Sequence, residues 1–227
     1  MPRRRRTGAA GLAHHVLNRA SRRAALFEDD ADYRDFLQVL IEARARTDMR
    51  ILAYTVMPNH CHLILWPDAD LQLSRFMHWL TLTHTKRWHI ARGTTGTGPL
   101  YQGRYKAIPV QSDEHLLTAI RYVERNPVRA GLVSRVQNWQ WSSVWERRHG
   151  SGTGLLVEWP VPFPSDWLST LNVAENDSQL AAVRDAVKLN TPLGDDLWRS
   201  ATAASFDLKR AFRPPGRPRK KRLPTPN

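Results

Sequence analysis

Between Ile51 and Trp66 two apolar runs are separated only by Pro58-Asn59, and no other stretch constrains the fold as much. Proline cannot donate a ladder hydrogen bond and asparagine tolerates turn conformations, so the pair reads as a tight turn. It joins two antiparallel strands, Ile51 to Val56 and His60 to Trp66, into a hairpin. Side chains alternate along a strand. Cys61, Leu63 and Leu65 therefore share one face, and His60, His62, Ile64 and Trp66 share the other. Both faces carry apolar residues and both need cover.

The flanking patterns supply the rest of a sheet and its first layer. His14 to Asn18 reads as a short strand, and Asp29 or Asp30 offers an N-cap for a helix with Tyr33, Phe36, Leu37, Leu40 and Ile41 on one side. A second helix is predicted from about Leu73 to Ile90, where Leu73, Phe76, Met77, Leu80 and Trp88 fall near one stripe, and the loop Gly93 to Pro99 ends it. Tyr101 to Val110 is the predicted fourth strand. Strand, helix, strand, strand, helix, strand is the split βαβ order. It predicts an α+β, ferredoxin-like fold, a four-stranded antiparallel sheet with two helices on one face.

A third helix opens at Ser112-Asp113-Glu114, with Leu116, Leu117, Ile120 and Val123 as its stripe, and it is the obvious cover for the histidine face. Pro127 disfavours helical backbone at the residue before it, which puts Asn126 in the last turn or at the cap. Trp139, Trp141, Trp145, Trp159 and Trp167 follow in a stretch expected to wrap back on the core. Two short helices are predicted beyond, one through Leu180, Val183 and Val187 and one after Asp195. The expected organisation is a basic N-terminus (1–13), a main domain (14–150), a small helical C-terminal extension (151–207), and a tail (208–227) too rich in proline and charge to fold alone.

Charge narrows the function. The chain of 227 residues has 34 Lys plus Arg against 21 Asp plus Glu, a formal net charge of +13. Seven arginines precede Glu28 with no acid among them, and eight Lys or Arg follow Leu208, again with no acid. Between Leu71 and Ser112 six more cations occur without an acid, interleaved with Trp79, Trp88, Tyr101 and Tyr105. Such segments suit a phosphate backbone with stackable bases, so nucleic acid is the first candidate partner and an anionic membrane surface the second. One cysteine excludes an internal disulfide framework, and no apolar run approaches the roughly 18 residues of a membrane span. A soluble, cytoplasmic protein is expected.

His60 and His62 are the sharpest candidates for chemistry, because both imidazoles point to one side while Cys61 points into the core. Alone, such a pair serves a hydrogen-bonded structural role more often than a metal site. Tyr122 and Asn126, four apart on the third helix and off its apolar stripe, could face the pair together. Two imidazoles and one amide oxygen would hold a divalent cation, Mg²⁺ or, better suited to imidazole, Mn²⁺, and make attack by the phenolate on a phosphate feasible. The residues by themselves equally allow a half-exposed surface phenol and an asparagine that merely precedes a turn.

Met57-Pro58-Asn59-His60-Cys61-His62-Leu63, together with Tyr122-Val123-Glu124-Arg125-Asn126-Pro127-Val128-Arg129-Ala130-Gly131-Leu132, resembles the IS200-like transposases, and within them the REP-associated tyrosine transposases. The resemblance runs from about His15 through Ser143, and more loosely into Pro192-Leu193-Gly194 and the tail. It implies that His60 and His62, with Asn126, bind the catalytic metal and that Tyr122 is the nucleophile. The implied activity is nicking and joining of single-stranded DNA through a 5′-phosphotyrosine, on hairpin-forming palindromes. Arg19, Lys86, Arg87, Arg104 and Lys106 are the cations expected to touch DNA in the folded part, with Arg217, Arg219, Lys220, Lys221 and Arg222 in the tail. That tail resembles an AT-hook, and a nonspecific polycation is the other reading. The alternative function is a noncatalytic nucleic-acid binder, or a domesticated transposase that binds without transposing. Monomer and homodimer are both left open.

Overall fold

The computed structural model describes residues 9–150 and 153–205. Its sheet contains β1 (Ala13–Arg19), β2 (Arg50–Met57), β3 (His60–Trp66) and β4 (Lys106–Val110) in the spatial order β2-β3-β1-β4, with every neighbouring pair antiparallel. Two helices connect them, α1 (Asp30–Thr47) and α2 (Gln72–Ala91). This is the predicted split βαβ arrangement. Asp29 caps α1 by accepting from the Asp32 amide at 3.0 Å, and Asp48 ends it in the left-handed region at φ 51°.

The fourth strand is shorter than the predicted Tyr101 to Val110. Its ladder with β1 ends at Leu17–Lys106, because the chain bends through Gln102 to Arg104 before it joins the sheet. Tyr101 keeps only an isolated bridge to Ala20, and Gln102 donates to the Arg19 carbonyl at 2.9 Å.

Each sheet face has its own core. Val16, Cys61, Leu63 and Leu65 meet Phe36 and Leu40 of α1 and Phe76, Met77 and Leu80 of α2. On the other face Leu52, Ala53, Ile64, Ile108 and Val110 lie under α3 (Glu114–Glu124), whose Leu116, Ala119, Ile120 and Val123 are fully buried. A register irregularity between Ile51 and Ala53 turns both Leu52 and Ala53 toward this second core.

Asn126 does not lie in the last turn of α3 or at its cap as expected. The helix closes at Glu124, and Asn126 opens a new turn, α4 (Asn126–Arg129), with Pro127 at its start. Proline has no N–H to continue the α3 ladder but suits the first turn of a helix. Two further helices were not legible in the sequence, α5 (Ser143–His149) and α6 (Trp167–Asn172), both too short to show a period. The predicted pair beyond them is α7 (Asp177–Leu189) and α8 (Asp196–Ser205).

Tryptophans tie this C-terminal half to the sheet and to α3. Trp139 and Trp159 donate to the carbonyls of Val56 and Leu52 at 3.0 and 2.9 Å, and Trp141 stacks on Tyr33 at 4.7 Å. Glu124 is fully buried at the end of α3, where it accepts from Ser143 Oγ at 2.5 Å and Trp167 Nε1 at 2.9 Å and pairs with Arg147. Two residues after Tyr122, it anchors the helix that carries the phenol.

Candidate active site

The site is the start of β3 beneath α3. His60 and His62 lie edge to face with ring centroids 4.9 Å apart, and both are buried. Cys61 faces the opposite core, and burial pushes its thiol up to about 12, so it remains a neutral core residue. His60 Nδ1 donates to Asn59 Oδ1 at 2.7 Å, and His62 Nδ1 lies 2.8 Å from His15 Nε2. In both rings, then, Nδ1 is engaged by a neighbour. Burial, helped by the Arg19 charge, lowers His60 to about 4. Burial, with the nearby His15, His60, Arg129 and Arg19, lowers His62 well below the ordinary histidine range. Both imidazoles are thus neutral near pH 7, the form that binds metals.

Tyr122 is delivered by α3 with its ring 5.9 Å from His62 and 5.7 Å from His15, edge-on to each. The Arg129 guanidinium lies 4.1 Å over the tyrosine ring. Asn126 stands one turn beyond Tyr122, half-buried, and among the described residues its side-chain amide makes no hydrogen bond. The two neutral imidazoles fit a divalent cation that accepts nitrogen ligands, which favours Mn²⁺ over Mg²⁺.

Asp113, Glu114 and His115 form a second group of potential ligands, within 4.8 Å of one another. Asp113 is already committed, accepting from the His115 amide and from His115 Nδ1, both at 2.8 Å. It caps the far end of α3, two turns from Tyr122.

The cations named from the sequence separate into two groups. Arg19 pairs with His60 across β1 and β3, and Lys106 sits on the same sheet face with its Nζ donating to the Val187 carbonyl at 2.7 Å. Lys86 and Arg87 lie on α2, across the sheet from the histidines, and Arg87 is held by Glu42 through bonds of 3.0 and 2.8 Å. Arg104 borders a cavity of about 270 Å³ against α2. Arg217, Arg219, Lys220, Lys221 and Arg222 lie outside the described residues.

His15 and Arg129 are the neighbours that sequence reasoning missed. His15 shares a strand face with Leu17 and Arg19, a signal visible in the alternation, but only the β1–β3 register brings it beside His62. Arg129 lies seven residues after Tyr122, two helical turns in an unbroken helix, and so was within reach of helical spacing.

The family model "Transposase IS200 like" matches residues 9–126, a span that contains His15, His60, His62, Tyr122 and Asn126. The chain belongs to the IS200-like transposases, a family of DNA-processing enzymes whose membership implies dependence on a divalent metal. A solved structure of a REP-associated tyrosine transposase bound to a REP hairpin is 21% identical, matches 73% of this chain and 96% of its own, and superposes with a TM-score of 0.54. It shares the fold. A putative transposase from Deinococcus radiodurans R1 is 19% identical over 53% of this chain and 93% of its own, with a TM-score of 0.38. No protein of curated function matches the chain. No helix among the described residues is long and apolar enough to cross a membrane.

Proposed function

We propose that this chain cuts and rejoins single-stranded DNA at hairpin-forming palindromes, with Tyr122 as the nucleophile. One observation carries the reading: the fold brings the Tyr122 ring within 5.9 Å of His62, beside a second neutral imidazole whose Nδ1 is already occupied. The hairpin target is supported by the REP-associated relative, which is bound to a hairpin.

The phenol gives its proton to solvent, and the phenolate oxygen attacks the scissile phosphorus in line. The P–O3′ bond breaks, the 3′ oxygen takes up a proton from solvent and leaves as a free hydroxyl, and the 5′ phosphate stays on Tyr122. Attack by a 3′ hydroxyl reverses these steps, so the phosphodiester energy is kept and no nucleotide triphosphate is needed. His60, His62 and Asn126 would hold a Mg²⁺ or Mn²⁺ ion, which supplies charge neutralisation at the phosphate when bound. Arg19 stands opposite His60 in the β1–β3 register, and its guanidinium charge adds to the positive potential that would attract a phosphate. The Arg129 charge over Tyr122 adds to the positive potential.

A sheet that reads RNA needs an open face with aromatics. Here α3 closes the histidine face over Leu52, Ile64 and Ile108, which argues against that kind of binder. The deciding measurement is denaturing gel analysis of the chain with labelled single-stranded hairpins from its own genomic surroundings. A covalent adduct should form with Mn²⁺ and be absent in Tyr122→Phe, while DNA affinity stays within a few fold. An adduct that survives in Tyr122→Phe removes the role from this residue, and binding without any adduct makes the chain a binder only.

A further inference from the structure

An imidazole binds a cation through an unprotonated nitrogen, and a neutral ring has one such nitrogen. For His60 the choice is made by Asn59. An amide oxygen can only accept, so the 2.7 Å contact requires the proton on Nδ1 and leaves the lone pair on Nε2. His62 faces no such carbonyl at Nδ1. Its partner there is another imidazole, His15 Nε2 at 2.8 Å, with both residues almost fully buried. A bond between two imidazole nitrogens can run either way. If His15 donates, the proton of His62 sits on Nε2 and blocks that nitrogen. If His62 donates, its Nε2 is bare, as in His60.

We propose that His15 is a positioning residue whose Nε2 accepts from His62 Nδ1–H, fixing the tautomer and orientation of His62 so that it presents Nε2 to the same cation as His60. This rests on the reading of His60 and His62 as metal ligands. The sheet makes the contact possible: β1 pairs Leu17 with His62 and His15 with Ile64, so His15 is the diagonal neighbour of His62 on the same face. The two rings also stack, with centroids 5.1 Å apart and planes 28° apart, which restrains His62 against rotation. His15 serves His62 as Asn59 serves His60, and each ligand has its own acceptor. Neighbours of this kind commonly change metal affinity by about 10- to 100-fold when removed.

Mn²⁺ titration calorimetry on the full chain separates this role from a merely structural one. His15→Leu, close in volume but without an acceptor, should bind Mn²⁺ roughly 10- to 100-fold more weakly. His15→Gln, whose side-chain oxygen reaches about as far as Nε2, should stay within a few fold of wild type, with both variants melting cooperatively. Unchanged affinity in His15→Leu, or a loss in His15→Gln as large as in His15→Leu, overturns the proposal. A variant-free measurement covers the case in which His15→Leu does not fold. Nitrogen-resolved NMR of the metal-free wild type should find the His62 proton on Nδ1, and a proton on Nε2 would overturn the proposal directly. If His60→Ala leaves Mn²⁺ affinity unchanged, the metal-site reading fails on its own, separately from the tautomer of His62.

Discussion

The Arg129 guanidinium carbon lies 4.1 Å from the centre of the Tyr122 ring, and Arg129 Nη2 donates to the Tyr122 carbonyl at 2.9 Å. The same guanidinium is held by Glu175, at 2.9 and 3.0 Å, from the segment between α6 and α7. Glu175 also pairs with Arg125. The C-terminal extension therefore reaches the proposed nucleophile through one arginine.

Arg129→Lys keeps the charge but cannot stack flat on the phenol while one nitrogen bonds Glu175 and another bonds the Tyr122 carbonyl. With roughly 1 to 2 kcal/mol of positioning removed, single-turnover adduct formation should slow by about 5- to 30-fold. Glu175→Ala should slow it in the same direction from outside the site. Rates equal to wild type in both variants would show that this arginine does not orient Tyr122.

Adduct formation should require added Mg²⁺ or Mn²⁺ and stop on chelation. His60→Ala and His62→Ala should abolish it even with metal present. Asn126→Ala should be milder and partly rescued by high metal concentration, because water can replace an amide oxygen. Full activity in EDTA would remove the metal from the mechanism.

Glu124 accepts from Trp167 and Ser143 and pairs with Arg147 while wholly buried, so truncation leaves several donors unsatisfied. Glu124→Ala should lower unfolding free energy by about 3 to 5 kcal/mol in urea titrations. Glu124→Gln keeps an acceptor and should lose less. Equal stability of Glu124→Ala and wild type would show that the network contributes little.

Acid should destabilise the chain below the ordinary histidine range. Burial lowers His14 and His84, away from the proposed ligands, from 6.5 to about 4. Between those values the unfolded state binds more protons than the native one, so their contribution is full above about 6.5 and is lost as pH falls toward about 4. Urea midpoints at pH 7.5 and pH 5 should differ accordingly, about 1.4 kcal/mol per pH unit for each histidine at full effect. His84 Nδ1 bonds the Tyr101 hydroxyl at 2.7 Å, and His84→Asn keeps a polar partner there without the titrating proton. Its midpoint should fall less between the two pH values, and an unchanged dependence would place the protons elsewhere.

Deleting Leu208 to Asn227 removes eight cations and none of the proposed chemistry. The slope of log affinity against log salt should flatten by roughly 0.7 for each phosphate the tail would have neutralised on a single strand, and by about 0.9 for each on duplex. Nicking at low salt and saturating DNA should persist. A larger drop in affinity for A-tract duplexes than for G·C duplexes would favour the AT-hook reading, and an unchanged slope would show that the tail does not bind DNA.

Local periodicity was enough to read the sheet, its order and most of its helices. A regular strand alternates every two residues, so His60 and His62 opposite Cys61 followed from three consecutive residues, and a helix repeats closely enough to put Tyr122 off the apolar stripe of α3. Where side chains meet across the chain was a different matter. His15 beside His62 depends on the register of two strands 47 positions apart, and Arg87 on Glu42 joins residues 45 apart. A charge count sees a free cation where the fold has already provided its partner. Helices as short as α5 and α6 show no complete period, and they are held by Glu124 and the tryptophans rather than by their own pattern. The sequence thus determined which groups could do chemistry and on which face of its own strand or helix each would lie, because those preferences are local. Only the tertiary structure decided which of them meet, because register and helix docking are chosen by burial summed over the whole chain.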